Sequence, residues 1–225
     1  NIFAAPELSL ELKTWCYPIA GCVGYRGYFS RTRADAYAKE LRTEGYEVFV
    51  GPVSAYSTVG WFNDPLLNTV LKRPDPELAG VLFHELAHQQ LFLSGDTAFS
   101  ESFATAVEIE GVRRWLADQG KPEEFSIYME RLKRREQFME LVLRYRKKLE
   151  TLYTSTKSDD DKRIEKARTF EELRRDYAAF KTGWGGYSGF DAWLTGGELN
   201  NARMGAVGVY HQYVPAFQAL FTKLG

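Results

Sequence analysis

Apolar residues recur at helical spacing through most of the chain, while its first part has turn-rich and strand-like patterns. Residues 1–29 predict extended segments and turns, residues 30–44 a capped helix, and residues 46–50 and 55–62 two strands. Helical patterns follow at 64–72, from 75 to a stop at Gly95, at 100–119, at 122–153, after 161 and after Pro215. The sequence therefore predicts an α+β fold, with a small N-terminal sheet and a mainly helical remainder.

A chain of 225 residues can bury a sizeable core as one domain. We expect a single domain, 1–225, built from four parts: a sheet-containing part (1–74), two helices of a candidate metal site (75–120), an antiparallel helical hairpin (121–182) and a C-terminal wall (183–225). Apolar residues at helical spacing form a stripe along the first helix of this hairpin, and include Phe125, Tyr128, Phe138 and Tyr145. A hairpin of this kind is expected to cover or wall a cleft.

The segment His84-Glu85-Leu86-Ala87-His88 contains the clearest chemical pattern in the chain. Residues four apart lie on one face of a helix, so His84 and His88 can bind one Zn²⁺. Glu85 lies beside them and can act as general base for a water activated by the metal. The alternative is a pair of hydrogen-bonded core histidines, which is a less common reason for this spacing.

A catalytic zinc site needs a third protein ligand and an open position. Glu101 is the preferred ligand, because Ser100 can cap a second helix and the residues before it allow the chain to turn back. Glu108 lies about 10 Å further along that helix, too far to bind the same ion easily. We therefore expect its carboxylate to contact a metal ligand or to face solvent. Asp96 is predicted to accept a hydrogen bond from a histidine ring, with an ordinary turn aspartate as the alternative.

These motifs resemble those of known metallopeptidases. His84 to His88, followed by Glu101-Ser102-Phe103-Ala104, is similar to the gluzincins, in which HExxH is completed by a downstream glutamate. More closely, the chain resembles a family of predicted bacterial zinc aminopeptidases, through residues 4–8, 15–29, 56–67, 78–111 and 200–203. It departs from the gluzincin pattern in having Ser100 instead of Asn, and in placing only twelve residues between His88 and Glu101.

The resemblance implies a peptide hydrolase with one zinc ion. The residues alone do not decide between cleavage at the N-terminus of a peptide and cleavage within it. In gluzincins an edge strand before the zinc helix binds the substrate backbone, which suggests Gly60 and Trp61 here; an ordinary sheet strand is the alternative. A downstream tyrosine or histidine stabilises the oxyanion, which suggests Tyr210 first and His211 second, unless these are packing residues. Aminopeptidase activity rests on the resemblance, and a zinc endopeptidase or a non-catalytic peptide-binding protein remains an alternative.

Composition and charge limit the kinds of binding partner that the sequence predicts. Apolar residues make up 44 % of the chain, which is typical of a globular protein. A net charge of −1 does not favour binding to nucleic acid, and the basic clusters at 133–135 and 144–148 fit solvated helix faces. No apolar run reaches the roughly 18 residues of a membrane-spanning helix.

Cys16 and Cys22 are the only cysteines, and their spacing suits a local disulfide in an oxidising compartment. The alternatives are two buried thiols or a pair of cysteines that binds a metal weakly. The resembling family commonly has an upstream segment with a lipoprotein-type signal, so we expect a periplasmic or lipid-anchored protein, with a cytoplasmic location as the alternative. The first residue is Asn1 instead of Met, which fits a processed or shortened N-terminus.

Overall fold

The computed structural model describes residues 1–17, 21–51, 71, 73–93 and 95–207. Their elements follow in the order β1 (Ile2–Ala5), β2 (Trp15–Tyr17), β3 (Gly21–Val23), α1 (Arg31–Thr43), β4 (Glu47–Val50), α2 (Asp75–Gln90), α3 (Thr97–Asp118), α4 (Glu124–Tyr153), α5 (Asp159–Gly183), α6 (Asp191–Thr195) and α7 (Asn201–Gly205). The predicted α+β class is confirmed: the protein is mostly helical and has a small N-terminal sheet.

The chain divides into two compact units, and the predicted organisation as one domain stays a prediction. The first unit comprises residues 1–52 and 134–208, and the second comprises residues 53–133 and 209–225. The predicted strand at 55–62, nearly all of the predicted helix at 64–72 and the predicted final helix lie outside the described residues. Among the helices that are described, none combines the length and the apolar character needed to cross a bilayer.

The sheet of the first unit joins the chain start to the strand after α1. β1 and β4 are antiparallel, with Ile2 opposite Val50. β2 and β3 form a second antiparallel pair, in which Cys16 and Cys22 are opposite each other and joined by a disulfide. Ala34, Ala38 and Leu41 of α1 are buried in the same apolar cluster as Ile2, Ala4 and Val48. The amphipathic helix therefore covers the apolar side of the β1–β4 sheet.

Helix α1 has clear signals at both ends. The Ser30 hydroxyl accepts a hydrogen bond from the Arg33 amide, which satisfies one of the free N–H groups of the first turn. Gly45 follows the helix with a φ of 88°, a conformation that glycine adopts without steric cost. The predicted helix at 30–44 matches α1 closely for these reasons.

Helices α4 and α5 form an antiparallel hairpin. Residues 134–153 of α4 and all of α5 belong to the first unit. Lys148 pairs with Glu172 at 3.0 Å and Arg144 with Asp176 at 2.9 Å, so residue numbers rise along one helix as they fall along the other. Their shared core is apolar and aromatic, and includes Phe138, Leu141, Tyr145, Leu149, Phe170, Leu173 and Tyr177.

A buried polar network connects α5 and α7 to the sheet. The Lys166 ammonium donates a hydrogen bond to the Glu7 carbonyl at 2.7 Å and forms an ion pair with Glu47 on β4. The other carboxylate oxygen of Glu47 accepts the Asn201 amide at 2.6 Å, and the Asn201 side chain donates to the Glu7 carbonyl at 2.7 Å. Burial raises the pKa of Glu47, although the ion pair with Lys166 opposes this shift. The lysine therefore favours the charged form of this partly buried carboxylate.

We expect Lys166→Met to lower the free energy of unfolding by about 3 kcal/mol, because it leaves the buried Glu47 carboxylate without its cation. Urea denaturation at neutral pH measures this loss. Lys157→Met is the matched control, since Lys157 pairs with Glu165 at the surface and such pairs contribute below about 1 kcal/mol. Equal losses in the two variants would contradict a special role for the buried pair.

Candidate metal centre

Helix α2 carries both histidines of the HExxH motif. Pro76 lies in its first turn, where a missing amide hydrogen costs nothing. The helix ends at Gln90, so the predicted stop at Gly95 is wrong. Leu91 already has extended backbone angles, with φ −148° and ψ 113°, and Gly95 instead supplies a positive φ of 95° in the connection to α3.

Helix α3 begins at Thr97, and its N-cap is Asp96; the predicted cap at Ser100 is wrong. The Asp96 carboxylate accepts the Phe99 amide at 2.9 Å. Ser100 is fully buried one turn inside the helix, where its hydroxyl accepts the Leu93 amide at 3.0 Å. Within the described residues, Asp96 has the capping role and is not hydrogen-bonded to either imidazole of α2.

Two glycines make room where α2 packs against α3 and against Tyr128 of α4. A Cβ atom at Gly111 would lie 2.7 Å from the Phe83 ring, and one at Gly80 would lie 2.8 Å from the Tyr128 hydroxyl oxygen. Phe83 directly precedes His84, so the contact at Gly111 sets the separation of the helices next to the histidine. This packing brings the histidines of α2 against the acidic face of α3.

The structure brings His84, His88 and Glu101 together. The His84 Nε2 atom is 3.2 Å from Glu101 Oε2, and the His88 Nε2 atom is 3.5 Å from Glu101 Oε1. One ligand atom from each of the three residues lies within 4.8 Å of the other two. Donors bound to one tetrahedral zinc ion at about 2.0–2.2 Å are about 3.4 Å apart, so these separations suit such an ion. The donor set of two imidazoles and one carboxylate is also one that zinc uses in catalytic sites.

The electrostatics of the group also favour a cation. Burial opposes protonation of His84, but hydrogen bonds to Glu101 and Glu108 outweigh it and raise the pKa of His84 to about 9. Burial lowers the pKa of His88, and the negative charges of Glu101 and Glu85 offset this only in part. Two carboxylates thus converge on one imidazole that carries the compensating positive charge in the absence of metal.

Glu108 lies behind His84. Its Oε2 atom is 3.0 Å from His84 Nδ1, and its Oε1 atom accepts a hydrogen bond from the Tyr128 hydroxyl at 2.7 Å. The Glu108 side chain is only 13 % exposed, so it does not face solvent. Glu101 and Glu108 are well separated along α3, as expected. The His84 ring lies between them, with one carboxylate at each of its nitrogens.

The second histidine is held differently from the first. The His88 Nδ1 atom is buried and has no hydrogen-bond partner among the residues that the structure describes. Its ring meets the His84 ring edge-on, with centroids 4.9 Å apart, and meets the Phe92 ring in the same manner at 6.1 Å. Packing against aromatic rings therefore contributes to the orientation of His88.

Four of the predicted site residues cannot be compared with this geometry. Gly60, Trp61, Tyr210 and His211 lie outside the described residues, so their suggested roles in substrate binding and oxyanion stabilisation stay predictions. The helical pattern places Tyr128 in an apolar stripe and does not predict its contact with Glu108. The available signal was its hydroxyl group, because a buried tyrosine usually hydrogen-bonds.

The fold and the site together define a protein in which a pair of helices presents a compact group of side chains that could hold a metal ion. The family model described as "Putative aminopeptidase" matches residues 1–225, and the chain belongs to this family. A comparison with curated proteins found no significant match. A comparison with solved structures also found none.

We expect Gly111→Ala to destabilise the protein by about 1–2 kcal/mol, because its Cβ would overlap the Phe83 ring. In an open helix the same change stabilises by about 0.5–1 kcal/mol. Gly183→Ala at the end of α5 is the control, since no atom lies within 4 Å of its added Cβ. Thermal unfolding measures both, and a stabilised Gly111→Ala variant would contradict the close helix packing.

Proposed function

We propose that this protein is a zinc-dependent aminopeptidase that hydrolyses the N-terminal peptide bond of peptide substrates. The observation that carries the proposal is the convergence of His84, His88 and Glu101, with ligand atoms within 4.8 Å of one another. Membership of the aminopeptidase family supports the reaction, and the donor set supports the metal.

His84, His88 and Glu101 would hold the metal ion. A bound zinc ion supplies Lewis acidity, which activates water near neutral pH and polarises the substrate carbonyl. The chain keeps both imidazoles and the carboxylate largely shielded, with side-chain exposures of 19 %, 11 % and 26 % respectively. Shielding strengthens the attraction between these groups and a cation, because less water competes for them.

Glu85 is proposed as the proton carrier. It follows His84 directly on α2, is half-buried, and its negative charge acts on His88. A carboxylate in this position can accept a proton as water attacks the peptide carbonyl, and can then deliver it to the leaving amine. From the resemblance, we assign stabilisation of the oxyanion to Tyr210, with His211 as the second choice. Binding of the substrate backbone is assigned to Gly60 and Trp61.

We also propose an extracytoplasmic location. The disulfide between Cys16 and Cys22 supports it, because such bonds persist in oxidising compartments.

We expect Glu85→Gln to lower turnover of peptide substrates by about a hundredfold to ten-thousandfold while zinc content stays at one ion per chain. The amide retains the shape of the side chain but cannot accept the proton. Glu123→Gln, at an exposed position before α4, is the control and should keep full activity. Undiminished turnover in Glu85→Gln would contradict the assigned role, and a wild-type protein that binds zinc but hydrolyses no peptide would indicate a binding protein.

Chelation and substrate blocking test the other parts of the proposal. Removal of zinc should abolish hydrolysis, and added zinc should restore it, because the proposed reaction depends on water activated by the metal. Acetylation of the substrate N-terminus should then stop cleavage by the zinc-loaded enzyme. Mass spectrometry of paired free and acetylated peptides measures this, and equal cleavage of both would identify an endopeptidase.

A further inference from the structure

We infer that Tyr128 is a positioning residue for the metal, and that it acts on His84 through Glu108. The inference rests on the proposed function and deepens it, because it adds a residue from a third helix to the metal site. The influence of Tyr128 on His84 is transmitted by a single carboxylate, that of Glu108.

The connection consists of two consecutive hydrogen bonds. The Tyr128 hydroxyl donates to Glu108 Oε1 at 2.7 Å, and Glu108 Oε2 is 3.0 Å from His84 Nδ1. Each oxygen of the carboxylate therefore has a partner on a different helix. The tyrosine holds one oxygen in place, which orients the other toward the imidazole.

The surroundings of Tyr128 keep its hydroxyl in position. Tyr128 is 4 % exposed and lies in an apolar cluster with Val112 and Leu116 of α3. Gly80 provides the space for the hydroxyl group, since a Cβ there would lie 2.8 Å from the hydroxyl oxygen and 3.2 Å from Glu108 Oε1. Arg131, one turn later on α4, pairs with Glu77 of α2 at 2.7 Å and fixes the same part of α4.

Glu108 would select one tautomer of His84 in the metal-bound state. With Glu108 as acceptor, Nδ1 would keep its hydrogen, and Nε2, which faces Glu101, would be free to bind the metal. A carboxylate behind a ligand histidine also increases the basicity of the imidazole and fixes the plane of its ring. Tyr128 maintains this arrangement by preventing the Glu108 carboxylate from rotating away.

The zinc dissociation constant of the 225-residue chain, measured by competition with a chromophoric chelator, tests the inference. We expect Glu108→Gln to weaken zinc binding about 10- to 100-fold, and Tyr128→Phe to weaken it about 3- to 10-fold. Tyr145→Phe is the matched control: Tyr145 is also buried, and its hydroxyl donates to the Asp176 carboxylate at 2.9 Å within the first unit. This control loses the same kind of hydrogen bond and should bind zinc as the wild type does.

Absorption spectra of the cobalt-substituted proteins provide a second readout that does not depend on activity. Tyr128→Phe should change the visible bands of bound Co²⁺, whereas Tyr145→Phe should leave them unchanged. Unchanged zinc affinity and cobalt spectra in Tyr128→Phe would overturn the inference while leaving the proposed enzyme intact. A wild-type chain that binds no zinc would overturn the proposed function itself, so the two failures are distinguishable.

Discussion

The candidate centre depends on one imidazole placed between two carboxylates of the same helix. Glu101 and Glu108 are seven residues apart on α3, about 10 Å along its axis, and the His84 ring meets one of them at each nitrogen. This arrangement is possible only if α2 and α3 lie close together. Gly111 allows that closeness, because a larger side chain there would overlap the Phe83 ring of α2, and Gly80 leaves room for the Tyr128 hydroxyl of α4.

The same constraint explains the charge balance of the site. Two carboxylates beside one imidazole stabilise a positive charge between the helices, and the high pKa of His84 reflects it. A metal ion would take over the charge that a proton supplies in its absence. The polar network around Lys166 and Glu47 in the first unit contrasts with this site, since a lysine of the chain itself supplies the positive charge beside the carboxylate.

Much of this could be predicted from sequence where the physical cause is local. His84 and His88 share a helix face because of helical periodicity, and α1 was delimited by Ser30 and Gly45. The start of α3 was misplaced because Asp96 and Ser100 can both cap a helix, and only tertiary packing buries Ser100 against Leu93. The contact between Tyr128 and Glu108 joins two helices across twenty residues of sequence, and no local pattern encodes it.

The central claim is that one metal ion binds between His84, His88 and Glu101. Anomalous diffraction at the zinc absorption edge, from crystals of the zinc-loaded chain, tests it most directly. We expect a single strong peak within about 2.3 Å of a nitrogen of each histidine and of a Glu101 oxygen. A peak at another group of residues, with these three side chains still hydrogen-bonded to one another, would contradict it.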